Sequence, residues 1–276
     1  MRLAFLKMHG AGNQIVVVDQ RQSNLPPPSP TELRRLGDDK TGPGFDQLMW
    51  VGPARDRSMS ASYRVFNSDG SECEQCGNGI RCIVWMLAQD SSEQKTFKLE
   101  SPTGTIEATV MDDGRITVNM GPPEFDPRRV PFLAEARSGQ YRLDVAGTTI
   151  DVSVLSIGNP HCVVEVSDVS SADVAGLGPA IEHHERFPAA TNVGFMRIRD
   201  RANIDVREYE RGAGETLACG TGACAAVVAG QRLGQLDEEV AVQMPGGELV
   251  VSWRGGAEPV WLTGNAELIS EGTIDL

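Results

Sequence analysis

The sequence predicts an α+β protein built from two similar, pseudo-symmetric domains that arose by internal duplication. Three observations carry this expectation. The stretch Cys76-Gly77-Asn78-Gly79 returns as Cys219-Gly220-Thr221-Gly222, each cysteine lying four residues after a glutamate, Glu72 or Glu215. Landmarks around the two stretches recur in order: Asn13 to Gln47 is 34 residues and Asn159 to Asn192 is 33, while Asn13 to Cys76 is 63 and Asn159 to Cys219 is 60. Past the cysteines the match tightens, with glycines 28 and 45 residues on in both halves, Gly104 and Gly121 against Gly247 and Gly264. An ordered series of this kind argues for duplication, and its period is far too long for a solenoid. Runs that read as strands outnumber those that read as helices.

Taken in order, residues 3–6 and 15–18 are rich in branched apolar side chains and read as strands, joined by the glycine-punctuated turn His9-Gly10-Ala11-Gly12-Asn13. After Pro26-Pro27-Pro28, the run Ser29-Pro30-Thr31-Glu32 combines a capping box with proline at the first helical position, so a helix is expected to run to about Leu36. Residues 47–51 and 63–66 read as strands, and the first cysteine turn opens a helix ending near Ala88. Strands follow at 97–100, 105–110 and 116–119, the last pair joined by the hairpin signal Asp112-Asp113-Gly114. Pro122-Pro123 and Pro127 mark a linker. The expected domains are 1–121 plus 265–276, the tail returning to the first, and 122–264.

Composition narrows the function classes. The chain has 276 residues, 40% hydrophobic and 23% charged, enough for a sizeable core. A formal net charge of -13 argues against a phosphate-backbone partner, which needs clustered Lys and Arg. The N-terminal run Met1-Arg2-Leu3-Ala4-Phe5-Leu6-Lys7 does not read as a signal peptide, and no segment approaches the ~20 apolar residues of a membrane span. The expectation is a cytoplasmic protein acting on a small molecule, whose six cysteines are not structural disulfides.

A thiol where a glycine turn feeds a helix N-terminus has a chemical consequence. The N–H groups and dipole there favour negative charge, and so both a thiolate and a bound carboxylate. Two such thiols in a pseudo-symmetric protein, facing one cleft, suit inversion of a carbon bearing an acidic proton, one sulfur acting as base and the other as acid. The competing reading is two buried small hydrophobes, as cysteine usually behaves. Cys82 and Cys224 fall inside the helices and are expected to be buried. Cys73-x-x-Cys76 has the form of a thiol–disulfide redox motif, but Thr216 stands where the second half would repeat Cys73. A zinc site lacks a second cysteine pair, and the adjacent His183 and His184 read as a solvated face. No glycine-rich phosphate loop implies a nucleotide cofactor. Asn13, Asn67, Asn159 and Asn192 each read as a turn former or a ligand, Glu210-Arg211 as a surface ion pair or part of a site, and His161 as a core histidine or a functional one.

The runs Met8-His9-Gly10-Ala11-Gly12-Asn13, Gly44-Phe45-Asp46-Gln47, Phe66-Asn67-Ser68-Asp69-Gly70-Ser71-Glu72, Cys76-Gly77-Asn78-Gly79-Ile80-Arg81-Cys82, Gly158-Asn159-Pro160-His161-Cys162 and Tyr209-Glu210-Arg211-Gly212-Ala213-Gly214-Glu215 resemble those of the diaminopimelate epimerases, over nearly the whole chain. The resemblance implies two domains of mainly antiparallel β structure around a central helix, usually in a homodimer. It also implies a cofactor-independent epimerase interconverting LL- and meso-2,6-diaminoheptanedioate, a reaction that feeds lysine and peptidoglycan precursors. Carried over by position, Cys76 and Cys219 are the acid/base thiols. Gly77, Asn78, Gly220 and Thr221 cradle the reacting carboxylate. Asn67, Asn159, Asn192 and Arg211 hold the distal amino-acid end, Asn13, Gln47 and Glu210 line the site, and His161 and Glu210 tune the thiols. No metal or cofactor is expected. The alternatives are a proline racemase-like enzyme, against which stand Asn78 in place of a histidine and the distal-binding residues, and a redox or zinc-binding module.

Overall fold

The structure, a computed structural model, describes residues 2–23, 25–73, 76–91 and 93–275. The chain divides into two compact units, Met1–Asn119 with Thr263–Leu276, and Met120–Leu262.

The first unit opens with strands β1 (Arg2–Gly10) and β2 (Asn13–Asp19), antiparallel across a two-residue turn in which Ala11 and Gly12 both have positive φ. That pair of left-handed residues matches the right-handed twist of the strands it joins. Helix α1 (Pro30–Gly37) starts at Ser29 with the full capping box, Ser29 and Glu32 satisfying each other's backbone N–H groups. Its Leu33 and Leu36 pack with Val16, Val18, Leu48 and Trp50 from the sheet. Strand β3 (Gln47–Gly52) runs parallel to β2, and β4 (Ala61–Asn67) antiparallel to β3. The short β5 (Glu72–Cys73) folds back on β4. Helix α2 (Gly77–Ala88) follows, then β6 (Thr96–Ser101), parallel to β4, and the antiparallel β7 (Gly104–Val110) and β8 (Ile116–Asn119). Gly114, with φ 86°, makes the hairpin turn expected from its sequence.

The second unit repeats this plan. It contains β9 (Tyr141–Val145), β10 (Thr148–Ser156), β11 (Pro160–Glu165), α3 (Val174–Glu182), β12 (Asn192–Asp200), β13 (Asn203–Glu210), β14 (Gly214–Thr216), α4 (Gly220–Arg232), β15 (Glu239–Met244) and β16 (Gly247–Ser252). Strand β17 (Trp261–Gly264) spans the boundary between the units. The parallel pairs fall in corresponding places, β2–β3 against β11–β12 and β4–β6 against β13–β15. Register agrees as well. Ile15 sits opposite Gln47, and His161, at the same offset from its asparagine, sits opposite Asn192. The glutamates that precede the cysteines serve the fold: Glu72 takes a two-pronged grip from Arg64 on β4, and Glu215 takes one from Arg207 on β13, each tying the short strand to its neighbour.

The tail forms β18 (Glu267–Asp275), antiparallel to β1 from Arg2–Asp275 to His9–Glu267. It does have a counterpart in the repeat. Strand β9 pairs with β10 as β18 pairs with β1, so the equivalent strand stands before its partner in one unit and at the end of the chain in the other. Position in the chain concealed this from a search for equal spacings.

One helix lies at the centre of each unit. α2 packs against β1, β2, β3, β7 and β8, and α4 against β10, β11, β12, β13, β15 and β16. Ten of α2's first eleven residues, all but Trp85, are buried, as is every residue of α4 from Gly220 to Gly230. A helix apolar all round belongs in a core. Gly79 and Gly222 permit the close approach at the helix starts: a Cβ at Gly79 would lie 2.3 Å from the Met49 sulfur, and one at Gly222 would overlap the Glu208 carboxylate at 2.5 Å. No helix among the described residues is long and apolar enough to cross a membrane. Replacing Ser29 by Ala should remove the side-chain half of the α1 cap and lower stability by about 1 kcal/mol, measured by urea unfolding.

Candidate active site

Both cysteines stand at the N-cap of the central helix, Cys76 with φ -143° and Cys219 with φ -126°, and both are nearly buried. The extended backbone at the cap turns each side chain back over the first helical turn, where the N–H groups have no carbonyl partner within the helix.

In the first unit the Gly79 N–H donates to the Cys76 sulfur at 3.2 Å, and the Cys76 thiol faces Gln47 Oε1 at 2.8 Å and Asn13 Oδ1 at 3.9 Å. Asn78 Nδ2 donates to Asn13 Oδ1 at 3.3 Å, and Gln47 Nε2 to Asn67 Oδ1 at 3.5 Å. Register explains the grouping. Asn13 and Gln47 begin neighbouring parallel strands, and Gln47 sits opposite Asn67 at the end of β4. The structure thus brings together Asn13, Gln47, Asn67, Cys76, Gly77 and Asn78.

In the second unit the Cys219 sulfur lies 3.4 Å from the Thr221 hydroxyl. Thr221 therefore contributes its side chain as well as its backbone. Burial pushes the Cys219 thiol well up from its ordinary value, and the carboxylates of Glu210 and Glu208 push it further. His161 is wholly buried, with Nδ1 3.2 Å from Glu208 Oε1 and Nε2 3.0 Å from Asn159 Oδ1. Asn192 is held at both ends: its Nδ2 donates to the Pro160 carbonyl at 2.8 Å, and its Oδ1 accepts the Arg211 N–H at 3.0 Å. Glu210 accepts from the Thr216 hydroxyl at 2.7 Å, and Arg211 Nη1 donates to the Ala189 carbonyl at 3.2 Å. Buried Glu182 accepts the Gly212 N–H at 2.7 Å and so pins the turn that carries Arg211.

The other thiols sit in different surroundings. Cys82 is buried within α2, its thiol pushed up to about 12 by burial; Cys162 and Cys224 are buried too. Cys73 lies on β5 opposite Val65. His183 lies just past α3, exposed beside Glu182, and among the described residues no three His, Cys, Asp or Glu side chains are grouped to hold a metal ion.

Glu208 was not among the expected site residues, although it is His161's partner. It is fully buried, and burial raises its carboxyl above the ordinary range against the opposing pull of His161. Its signal was in the strand pattern. The inward positions of β13 run Ile204, Val206, Glu208, so period-two alternation aims this glutamate at the core.

The family model for diaminopimelate epimerase matches residues 5–125 and 153–269. Curated diaminopimelate epimerases are similar along the whole length: 47% identical over 277 residues in Ectopseudomonas mendocina and 48% over 279 in Laribacter hongkongensis, with 100% of both chains covered in each case. Among solved structures, a hydroxyproline epimerase from Agrobacterium vitis with bound trans-4-hydroxy-L-proline superposes with a TM-score of 0.72 at 16% identity, over 99% of this chain and 92% of that one. A phenazine-biosynthesis protein of the PhzF family from Bacillus anthracis gives 0.67 at 15% identity, over 100% of both chains. At such identities these two neighbours speak for a shared fold.

Glu208 supplies a test with a definite sign. A carboxyl raised by burial favours the folded state below its unfolded value of about 4.3, and that advantage is lost as pH rises through the folded value. Wild-type stability should therefore fall relative to Glu208→Gln as pH is raised from about 4 towards neutrality, read from urea midpoints. A difference that stays constant over the range would count against the assignment.

Proposed function

As the chain belongs to the diaminopimelate epimerase family, we propose that it inverts one α-carbon of 2,6-diaminoheptanedioate, interconverting the LL and meso forms in lysine and peptidoglycan-precursor biosynthesis. The observation that carries this reading is the cysteine at the cap of the central helix in each unit. One sulfur, as thiolate, removes the α-proton from one face of the carbon, and the other, as thiol, delivers a proton to the opposite face. Negative charge then develops on the adjoining carboxylate, where the N-terminal turns at Gly77-Asn78 and Gly220-Thr221 would stabilise it. Mechanistically the thiols are unequal. Burial and the Glu208 and Glu210 carboxylates disfavour a thiolate at Cys219, while at Cys76 the Gly79 N–H, which favours a thiolate, is set against the Gln47 and Asn13 amide oxygens, which favour the thiol. In this reading Asn67, Asn159, Asn192 and Arg211 take the distal amino-acid end, and the enzyme works as a cytoplasmic homodimer without a cofactor.

Two outcomes test the reading. In deuterated water the purified protein should interconvert the stereoisomers, with deuterium entering the product before the recovered substrate, because the proton removed and the proton delivered sit on different sulfurs. Cys76→Ala and Cys219→Ala should each abolish inversion by chiral chromatography, while Cys73→Ala should not. Full turnover by either of the first two would overturn the two-thiol assignment.

Specificity should rest on the distal end. A substrate without a distal carboxylate leaves desolvated donors unmet, at about 1–3 kcal/mol each, so lysine, alanine and proline should turn over poorly. Arg211→Lys keeps the charge and loses the planar fork, and should lower kcat/KM roughly 10- to 100-fold on that scale. Efficient racemisation of proline by the unaltered protein would instead favour a racemase of the proline type.

A further inference from the structure

Beside the Gly79 N–H that donates to the Cys76 sulfur, the carboxamide hydrogen bonds near it run in one direction, and two charged residues outside the expected site set that direction. Arg81, one turn into α2 and wholly buried, donates Nη2 to Asn78 Oδ1 at 2.8 Å and Nε to the Asn265 carbonyl at 3.1 Å. Asn78 Nδ2 in turn donates to Asn13 Oδ1 at 3.3 Å. Asn13 Nδ2 donates to Asp46 Oδ2 at 3.0 Å, an oxygen that also accepts the Gln14 N–H at 2.7 Å. A guanidinium only donates and a carboxylate only accepts, so a carboxamide chain strung between them has one possible sense. A carboxamide alone could be turned either way. Here Asn78 must give its oxygen to Arg81, Asn13 must give its amide to Asp46, and the Asn13 oxygen is left facing Cys76.

Gln47, the sulfur's nearer contact, is polarised the same way. Its amide donates to Asn67 Oδ1, Asn67 Nδ2 to Ser71 Oγ at 3.0 Å, and the Ser71 hydroxyl to Asp69 at 2.6 Å. Two amide oxygens therefore meet the sulfur, at 2.8 and 3.9 Å; they accept from an S–H and oppose a thiolate, against the single Gly79 N–H at 3.2 Å that favours one. We propose that Arg81 and Asp46 are positioning residues that lock the Asn13 carboxamide oxygen-first on Cys76, and so hold this thiol in its proton-bearing form in the substrate-free protein. The consequence for turnover rests on the epimerase reading above; the orientation itself is read on the sulfur alone.

Among the described residues, the other titratable side chains on these elements include Lys7 and His9 on β1, bound to the Pro43 carbonyl and to Glu267, Tyr63 and Arg64 on β4, Glu72 and Cys73 on β5, with Glu72 paired to Arg64, and Cys82 on α2. None is altered in the variants that test the proposal. The measurement is the rate of Cys76 alkylation by iodoacetamide against pH in the full-length protein, read by peptide mass spectrometry with Cys219 as internal reference. Asp46→Ala leaves Asn13 held only by the 3.3 Å bond from Asn78, the longer of its two, so that it can turn its amide to the sulfur. The Cys76 profile should then move to lower pH, with alkylation at pH 7 about 3- to 10-fold faster, a half to one unit of pKa. Asp46→Asn keeps an oxygen towards the Gln14 N–H and should stay near wild type. At the other end, Arg81→Met should behave as Asp46→Ala does, and Arg81→Lys, still a pure donor, as wild type. Asp46 lies at the surface, so its two variants decide the matter even where a change at buried Arg81 unfolds the protein. An Asp46→Ala profile superimposed on wild type, or an equal shift in Asp46→Asn, would overturn the proposal. Absence of epimerase activity in the wild type would count against the functional reading and leave the alkylation comparison intact.

Discussion

A helix surrounded by protein must begin out of reach of water, and the N–H groups of its first turn still need partners. In both units of this chain the residue at that beginning is a cysteine. Much else follows from the requirement. Glycines at 79 and 222 let the helix start press against Met49 and Glu208, the parallel strand pairs bring asparagine and glutamine side chains to the same place, and the arginine–glutamate grips set the short strand that leads into each turn. The chemistry is thus placed by the least exposed part of each unit, where side chains have the fewest alternatives.

The two thiols share a backbone position and differ in surroundings. Among the described residues, Cys76 meets two neutral carboxamides and a backbone N–H, while the thiol of Cys219 feels two carboxylates and touches a hydroxyl. Inverting a carbon by proton transfer requires one sulfur to be charged while the other is not. Duplication supplied two equivalent positions, and the side chains of β13 made them unequal, most directly through Glu208, an acid on the core side of a strand whose other inward residues are aliphatic.

The parts that could be read from sequence were those with a local physical cause. The Ser29 capping box, the Gly114 hairpin and the helices after both cysteines all appear where turn chemistry and capping place them. The correspondence of Asn13 and Gln47 with Asn159 and Asn192 was visible in near-equal spacings of 34 and 33 residues. What escaped depended on contacts distant in the chain. The equivalence of β9 and β18 is invisible to a search at constant offset. Glu208 reads as an ordinary surface glutamate until the phase of β13 is known. The direction of the Asn13 carboxamide is set by Asp46 and Arg81, 33 and 68 residues further along the chain.

The placement of β18 bears on how the protein is made. The second unit is one uninterrupted segment, whereas the first is open along β1 until the final residues of the chain arrive to pair with it. During synthesis, which proceeds at about 5–20 residues per second from the N-terminus, the unit encoded first is therefore the one completed last. Until β18 has been synthesised, nascent β1 presents an unpaired edge of the kind that recruits foreign strands. Its exposure lasts for the translation of everything in between, roughly 250 residues, or about 13–50 s at that rate.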